Sequence, residues 1–316
     1  MDALVARPPV DARSAALLEL LGRLQALDYD FVTPTPATHA LVRRRRPAGG
    51  DDLLRDVFGW NRRFTADQLP PDLMDLVRRA DAIRETGGGL RLGIRVSSVD
   101  GRLFVHSAPG DDRDAVFLGP DSYRFARFIR QALAGRAATG VILDVGVGAG
   151  VGAATLAAAC PGARVLATDV NPRALELARV NLAHAALAVE LVEASGLPAE
   201  PERFDLIVAN PPYIAGEGGR TYRDGGDQLG AALSLEWAKA GVERLTPGGR
   251  FLLYTGSAIV EGRDGVRAAL AELASTRGLS LDYEEIDPDV FGGMLADEAY
   301  REAERIAVVG AVLTRP

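Results

Sequence analysis

Leu17, Leu20, Leu21, Leu24 and Leu27 recur at three- and four-residue intervals, so residues 11–27 are expected to form a helix with one buried face. Further helical patches fall at about 51–58 and 71–85, divided by turns rich in proline, threonine and glycine. The pattern then changes. Leu90-Arg91-Leu92-Gly93-Ile94-Arg95-Val96 and Leu103-Phe104-Val105-His106 flank Asp100-Gly101, a dipeptide that accepts positive φ and predicts a hairpin turn. Residues 1–108 therefore read as a small helical domain closed by a β-hairpin.

Beyond it the chain alternates. A helix over about 122–134 would carry Phe125, Phe128, Ile129, Ala132 and Leu133 on one face. Apolar strands are expected at 141–145, 164–168, 188–192, 204–209 and 250–255, with helices at about 152–159, 172–184 and 229–245. Continuous apolar strands separated by helices imply an α/β domain, residues 109–316, with a parallel sheet covered on both faces. Two last strands, about 279–286 and 305–314, bracket a short acidic helix.

Composition narrows the setting. A 47% hydrophobic content is ordinary for a chain of 316 residues with a large core. No apolar run approaches the ~18 residues of a membrane helix, and Met1–Pro9 has no apolar region of signal-peptide kind. The single Cys160 excludes an internal disulfide and fits a reducing compartment, so a cytoplasmic protein with no membrane partner is expected. The net charge of −7 is uneven. Residues 1–115 carry 17 arginines and 17 acids; residues 116–316 carry 19 basic and 26 acidic residues. A grip on nucleic-acid phosphates would need a basic face, and the Arg43-Arg44-Arg45-Arg46 run is the candidate. It also reads as the solvated end of a short helix beside Asp51-Asp52.

Two segments carry the chemistry. In the first, the strand Val141-Ile142-Leu143-Asp144 runs into Gly146, Gly148, Gly150 and Gly152, a turn that lets backbone approach a ligand at a helix start. Gly148-x-Gly150-x-x-Ala153 also satisfies a dinucleotide fingerprint, with Asp169 nineteen residues past Gly150, so a nicotinamide enzyme competes here. In the second, the strand Phe204–Ala209 ends in Asn210-Pro211-Pro212-Tyr213. Two prolines stiffen the corner after Asn210. An amide oxygen and a peptide carbonyl held there can accept both hydrogens of a planar NH2 group. Hydride transfer has no use for that arrangement.

The pair resembles the class I S-adenosylmethionine-dependent methyltransferases that modify planar nitrogens. They comprise the release-factor glutamine enzymes and the adenine-N6 and guanine-N2 nucleic-acid enzymes. The resemblance implies a Rossmann-like, seven-stranded class I methyltransferase sheet and S-adenosyl-L-methionine as cofactor. It implies that Asp144 orders the methionine end, that Gly146, Gly148 and Gly150 bring backbone close, and that Asp169 accepts the ribose hydroxyls. Asp169 also reads as a helix cap before Pro172. Where relatives carry an acid for the adenine amino group, this chain has Ser195, with Glu193 as a substitute. Pro120, in Phe117-Leu118-Gly119-Pro120-Asp121-Ser122, matches a proline–acid–hydroxyl segment lining the cofactor pocket; Asp121 or Ser122 also reads as a plain helix cap.

For the acceptor, Asn210 and the Pro211 carbonyl are expected to clamp the NH2 group, Pro212 to stiffen the corner and Tyr213 to cover the acceptor's flat face. Asn210 also borders the cofactor. The loop 215–227, with Arg220, Tyr222, Arg223 and Asp224, would select the acceptor. Domain order and acidic charge favour a protein acceptor of release-factor type. A nucleobase amine and a small natural product are the alternatives. No histidine, cysteine or acid cluster has metal-ligand spacing, so no metal is expected.

Overall fold

The computed structural model of the chain describes residues 11–45, 52–110, 113–199, 202–213, 230–290 and 292–316. Helix α1 (Ala12–Ala26) starts at Asp11, whose carboxylate accepts the Ser14 backbone N–H at 2.7 Å, and it buries Leu17, Leu20, Leu21 and Leu24. After α2 (Pro36–Arg45) comes a π-type turn at Arg55–Gly59, shorter than the helix expected over 51–58. Helix α3 (Pro71–Arg79) packs on α1 and stops well before residue 85. Asp81 turns the chain at φ 47°, and Ile83–Thr86 becomes strand β1, paired antiparallel with β2 (Gly89–Leu92). The single run expected over 90–96 is thus split at Gly93. Its second half, β3 (Ile94–Val99), pairs with β4 (Arg102–Ser107) across Asp100-Gly101, both at positive φ.

The larger unit runs through α4 (Pro120–Leu133), β5 (Val141–Val145), α5 (Val151–Ala159), β6 (Arg164–Asp169), α6 (Pro172–His184), β7 (Glu190–Glu193), β8 (Phe204–Ala209) and α7 (Ala232–Glu243). It ends with β9 (Leu245–Val260), a two-residue return β10 (Arg263–Asp264), α8 (Gly265–Arg277), β11 (Ser280–Asp287) and β12 (Arg305–Thr314). The strand order is β11-β12-β9-β8-β5-β6-β7, with β12 antiparallel to both neighbours and the five strands from β9 to β7 parallel. This is the seven-stranded class I methyltransferase sheet. Alternate residues of each strand feed two cores. Leu143, Ile207 and Leu253 face α7 and α8, whereas Ile142, Leu206, Leu252 and Tyr254 face α4 and α5. Two 3₁₀ turns at Gly292–Ala296 and Glu298–Tyr300 replace the short acidic helix. Helix α8 was not anticipated, although Val266, Leu270, Leu273 and Ala274 have helical spacing between the Asp264 cap and Gly278 at φ 64°.

The two parts share a core. Leucines of α1 and α3 join Leu177, Val180 and Leu182 of α6 in one buried cluster. Asn181 of α6, fully buried, accepts the Val105 N–H at 2.8 Å and donates to the Val105 carbonyl at 2.9 Å. Its carboxamide thereby acts on Val105 as a neighbouring strand would, satisfying both backbone groups that this residue presents at the edge of β4.

Candidate cofactor and acceptor site

Strand register brings the expected residues to one place. Val145 pairs with Ala209 and Thr168, so Gly146 and Asn210 leave the sheet side by side, with Asp169 next to them. Asp169 in turn pairs with Glu193, and the Ala194 N–H donates to the Asp169 carbonyl at 3.1 Å. From β5 the chain builds outward to β7, then crosses back to β8. The crevice between β5 and β8 is therefore the point where strand order reverses, where open α/β sheets bind ligands.

Gly146, Gly148 and Gly150 all have positive φ, at 78°, 50° and 88°, which a side chain would strain. Asp169 accepts the Gly148 N–H at 2.9 Å with one oxygen and the Asn171 N–H at 2.9 Å with the other. It does not cap α6; Asn171 does, accepting the Arg173 N–H at 3.0 Å. Burial raises the Asp169 pKa, and these amide bonds oppose the shift. A carboxylate fixed against the glycine turn suits a vicinal diol, because its remaining lone pairs point outward.

Asp144 lies deeper. Burial pushes its pKa up to about 8, offset in part by the Ala153 N–H at the start of α5 and reinforced by the Asp169 charge. Gly152 makes the room: a Cβ there would lie 2.7 and 2.9 Å from the two Asp144 carboxylate oxygens. Such a buried acid, cradled at a helix start beside Asp169, fits the cationic end of an adenosyl amino-acid ligand. The residues present thus fit S-adenosylmethionine.

Two flanking residues escaped the sequence reading. Val170, directly after Asp169, is 52% exposed, an apolar surface offered at the lip of the crevice. Trp237 of α7 reaches under both loops: a Cβ on Gly146 would lie 3.0 Å from its ring, and one on Gly196 3.2 Å from its Nε1. A lone valine after a strand and a lone tryptophan on a helix have no spacing signature, which is why the chain alone did not show them. Glu193, the last residue of β7, and Ser195, on the loop that follows, are both exposed.

Pro120 occupies the first turn of α4, Gly119 stands at the N-cap position, and the Ser122 hydroxyl accepts the Gly119 N–H at 3.4 Å, so Ser122 shares in the cap and Asp121 does not. Asp121 is instead buried, and accepts a hydrogen bond from the Tyr254 hydroxyl at 3.0 Å and another from Tyr213. Tyr213 is where the expectation changes most. Its ring is turned inward rather than over an acceptor: it is 8% exposed and packs where a Cβ on Gly256 would lie only 2.5 Å away. Pro211 is buried and Pro212 half-buried, so Asn210-Pro211-Pro212 is anchored at its far end by the Tyr213–Asp121–Tyr254 cluster. The loop 215–227, expected to select the acceptor, lies outside the described residues.

A family model described as methyltransferase small domain matches residues 124–257. A release factor glutamine methyltransferase of Cereibacter sphaeroides is 33% identical over 277 residues, covering 77% of this chain and 90% of that protein. The chain belongs to this family. A Bordetella pertussis member is 33% identical over 184 residues, 53% of this chain and 67% of its own length. A Pseudomonas aeruginosa protein named ribosomal RNA small subunit methyltransferase C is 33% identical over 213 residues, 65% of this chain and 53% of its own. The protein is therefore an S-adenosylmethionine-dependent methyltransferase, and the nicotinamide alternative falls. Among the described residues no acid, histidine or cysteine cluster suits a metal, and no helix is long and apolar enough to cross a membrane.

Proposed function

We propose that this chain methylates the side-chain amide nitrogen of a glutamine in a release factor. The observation that carries the reading is the juxtaposition of Asn210 with Gly146 at the switch point, on a corner stiffened by two prolines and anchored by Tyr213. The cofactor supplies an electrophilic methyl on a sulfonium. Asp169 holds the ribose hydroxyls, Asp144 orders the amino-acid end, and Gly146, Gly148 and Gly150 let backbone amides approach. Trp237 and Val170 border the adenosyl pocket, alongside Ser195 and Glu193, and Pro120 closes it from α4.

An amide nitrogen is a poor nucleophile because its lone pair is delocalised. The Asn210 side-chain oxygen and the Pro211 carbonyl accept its two N–H groups, aim its π-face at the methyl and favour the charge that develops on nitrogen. Transfer would break the sulfonium S–CH3 bond and leave a neutral thioether, and the cationic amide nitrogen, being strongly acidic, would give its proton to water, so no dedicated base is needed. Tyr213 acts from behind, by fixing the corner. Residues 1–108 serve as the acceptor-recognition part.

Incubation with methyl-labelled cofactor and the release factor of the same cell, followed by peptide mass spectrometry, is the test. One methyl on a glutamine side chain is expected. Label recovered in nuclease-sensitive material instead would support the nucleobase reading that the ribosomal RNA relative favours.

A further inference from the structure

The arginine run at the end of α2 does not stand alone. Phe64 and Leu90 exchange backbone hydrogen bonds, at 3.0 and 2.8 Å, so the segment before Phe64 lies along β2. Arg63 immediately precedes that bridge, at the edge of β2, and Arg91 of β2 is paired across β1/β2 with Arg84. Arg84 and Arg91 thus share one face of a small sheet with Arg63 beside its edge, and the Arg84 guanidinium turns back to donate to the Asp81 and Ile83 carbonyls at 3.3 and 3.1 Å. Arg43, half-buried at the end of α2, joins them: its pKa is lowered by burial and then by the charges of Arg91, Arg62 and Arg63. Arg62 is 7% exposed and lies 3.5 Å from the Arg43 carbonyl.

Neutralising charge is scarce. Among the described residues, Asp56 is the one carboxylate ion-paired to any of these five arginines, and Arg62 takes it at 3.1 Å. The Nε of Arg91 is buried with no acceptor among the described residues. Like charges directly opposite one another on a sheet are destabilising, and a buried unpaired donor adds to the cost. An oxyanion would relieve both, since guanidinium forks match carboxylate or phosphate oxygens two at a time.

We propose that Arg43, Arg63 and Arg91 form an anion-recognition site that docks a cluster of acidic side chains on the protein acceptor. The docking half rests on the release-factor reading above. Charge distribution favours an acidic protein over RNA. The patch is local, and residues 116–316 carry 26 acids against 19 basic residues, so no basic track leads on from it.

The test compares the full chain with R43S/R63S/R91S, leaving Arg62 and its Asp56 pair in place. With the release factor as acceptor, the variant's KM should rise at least tenfold while its affinity for the cofactor stays within twofold, which also verifies folding. Wild-type KM should climb steeply from low to high salt, and the variant's should not. R43K/R63K/R91K, which keeps the charge and loses the fork, should fall between. A fluorescent poly-L-glutamate peptide, followed by anisotropy, reads the site without any acceptor. Wild type should bind it at low salt and R43S/R63S/R91S at least tenfold more weakly. Loss of that contrast, or an unchanged KM with a methylated release factor, overturns the inference and leaves the proposed function standing. Arginine-dependent peptide binding by a protein that methylates no release factor keeps the anion site and removes the acceptor reading. A contrast seen with a single-stranded RNA oligomer and not with the peptide would overturn the acidic-protein docking.

Discussion

Asp144 shows how one side chain ties stability to ligand binding. Its folded pKa of about 8 lies above its unfolded value of 3.8. The folded state therefore holds a proton the unfolded state gives up, so the group's contribution is intact below about pH 4 and is lost as pH rises toward 8. D144N cannot titrate. In the absence of cofactor its melting temperature should gain on the wild type progressively between pH 4 and 8, measured by calorimetry, while its cofactor affinity falls. A wild-type-minus-variant difference independent of pH would contradict the assignment. Tyr213 makes a second case. Y213F keeps the ring against Gly256 but withdraws a donor from buried Asp121, so a stability loss of about 1–3 kcal/mol is expected in denaturant titration, with slower transfer. The sequence marked Tyr213 as functional but not its direction, because the absent side chain of Gly256 and the acid of Asp121 lie 43 and 92 residues away along the chain.

At the scale of elements, Asn181 joins three of them. Besides bonding both backbone groups of Val105 on β4, it donates to the Ala149 carbonyl inside the glycine-rich turn at 2.8 Å. N181A would strip partners from three buried backbone groups, so a loss of ~3 kcal/mol or more is expected, together with weaker cofactor binding. N181A retaining wild-type cofactor affinity in calorimetry would show that α6 does not set the turn. The strands were legible in the sequence because buried parallel strands are continuous apolar runs, and β12 falls on the expected residues 305–314. What was not legible is local competition. Gly87-Gly88-Gly89 and Gly93 cut one expected helix end and one expected strand into the β1/β2 hairpin, since glycine and the positive φ of Asp81 end helices that leucine spacing would extend.

At the scale of the whole molecule, the N-terminal part is built into the enzyme. Helix α1 packs on α6, and their leucines share one core. A chain starting at Asp114 would expose Leu177, Val180 and the polar side of Asn181. It is expected to melt well below the full chain, rather than survive as an independent cofactor-binding unit; an unchanged melting temperature would show the two parts to be separable. The converging strand ends were readable from Asp144-Val145-Gly146-Val147-Gly148-Ala149-Gly150 and Asn210-Pro211-Pro212-Tyr213. The supports beneath them, Trp237, Asp121 and Tyr254, required the fold. The central claim is that the Asn210 carboxamide holds a planar amide at the crevice between β5 and β8. Single-turnover transfer from labelled cofactor to the release factor, comparing wild type with N210A, tests it most directly. The expected result is a rate lower by about two to four orders of magnitude, ~3–5 kcal/mol of barrier, with cofactor affinity nearly unchanged. N210A transferring at the wild-type rate would contradict it.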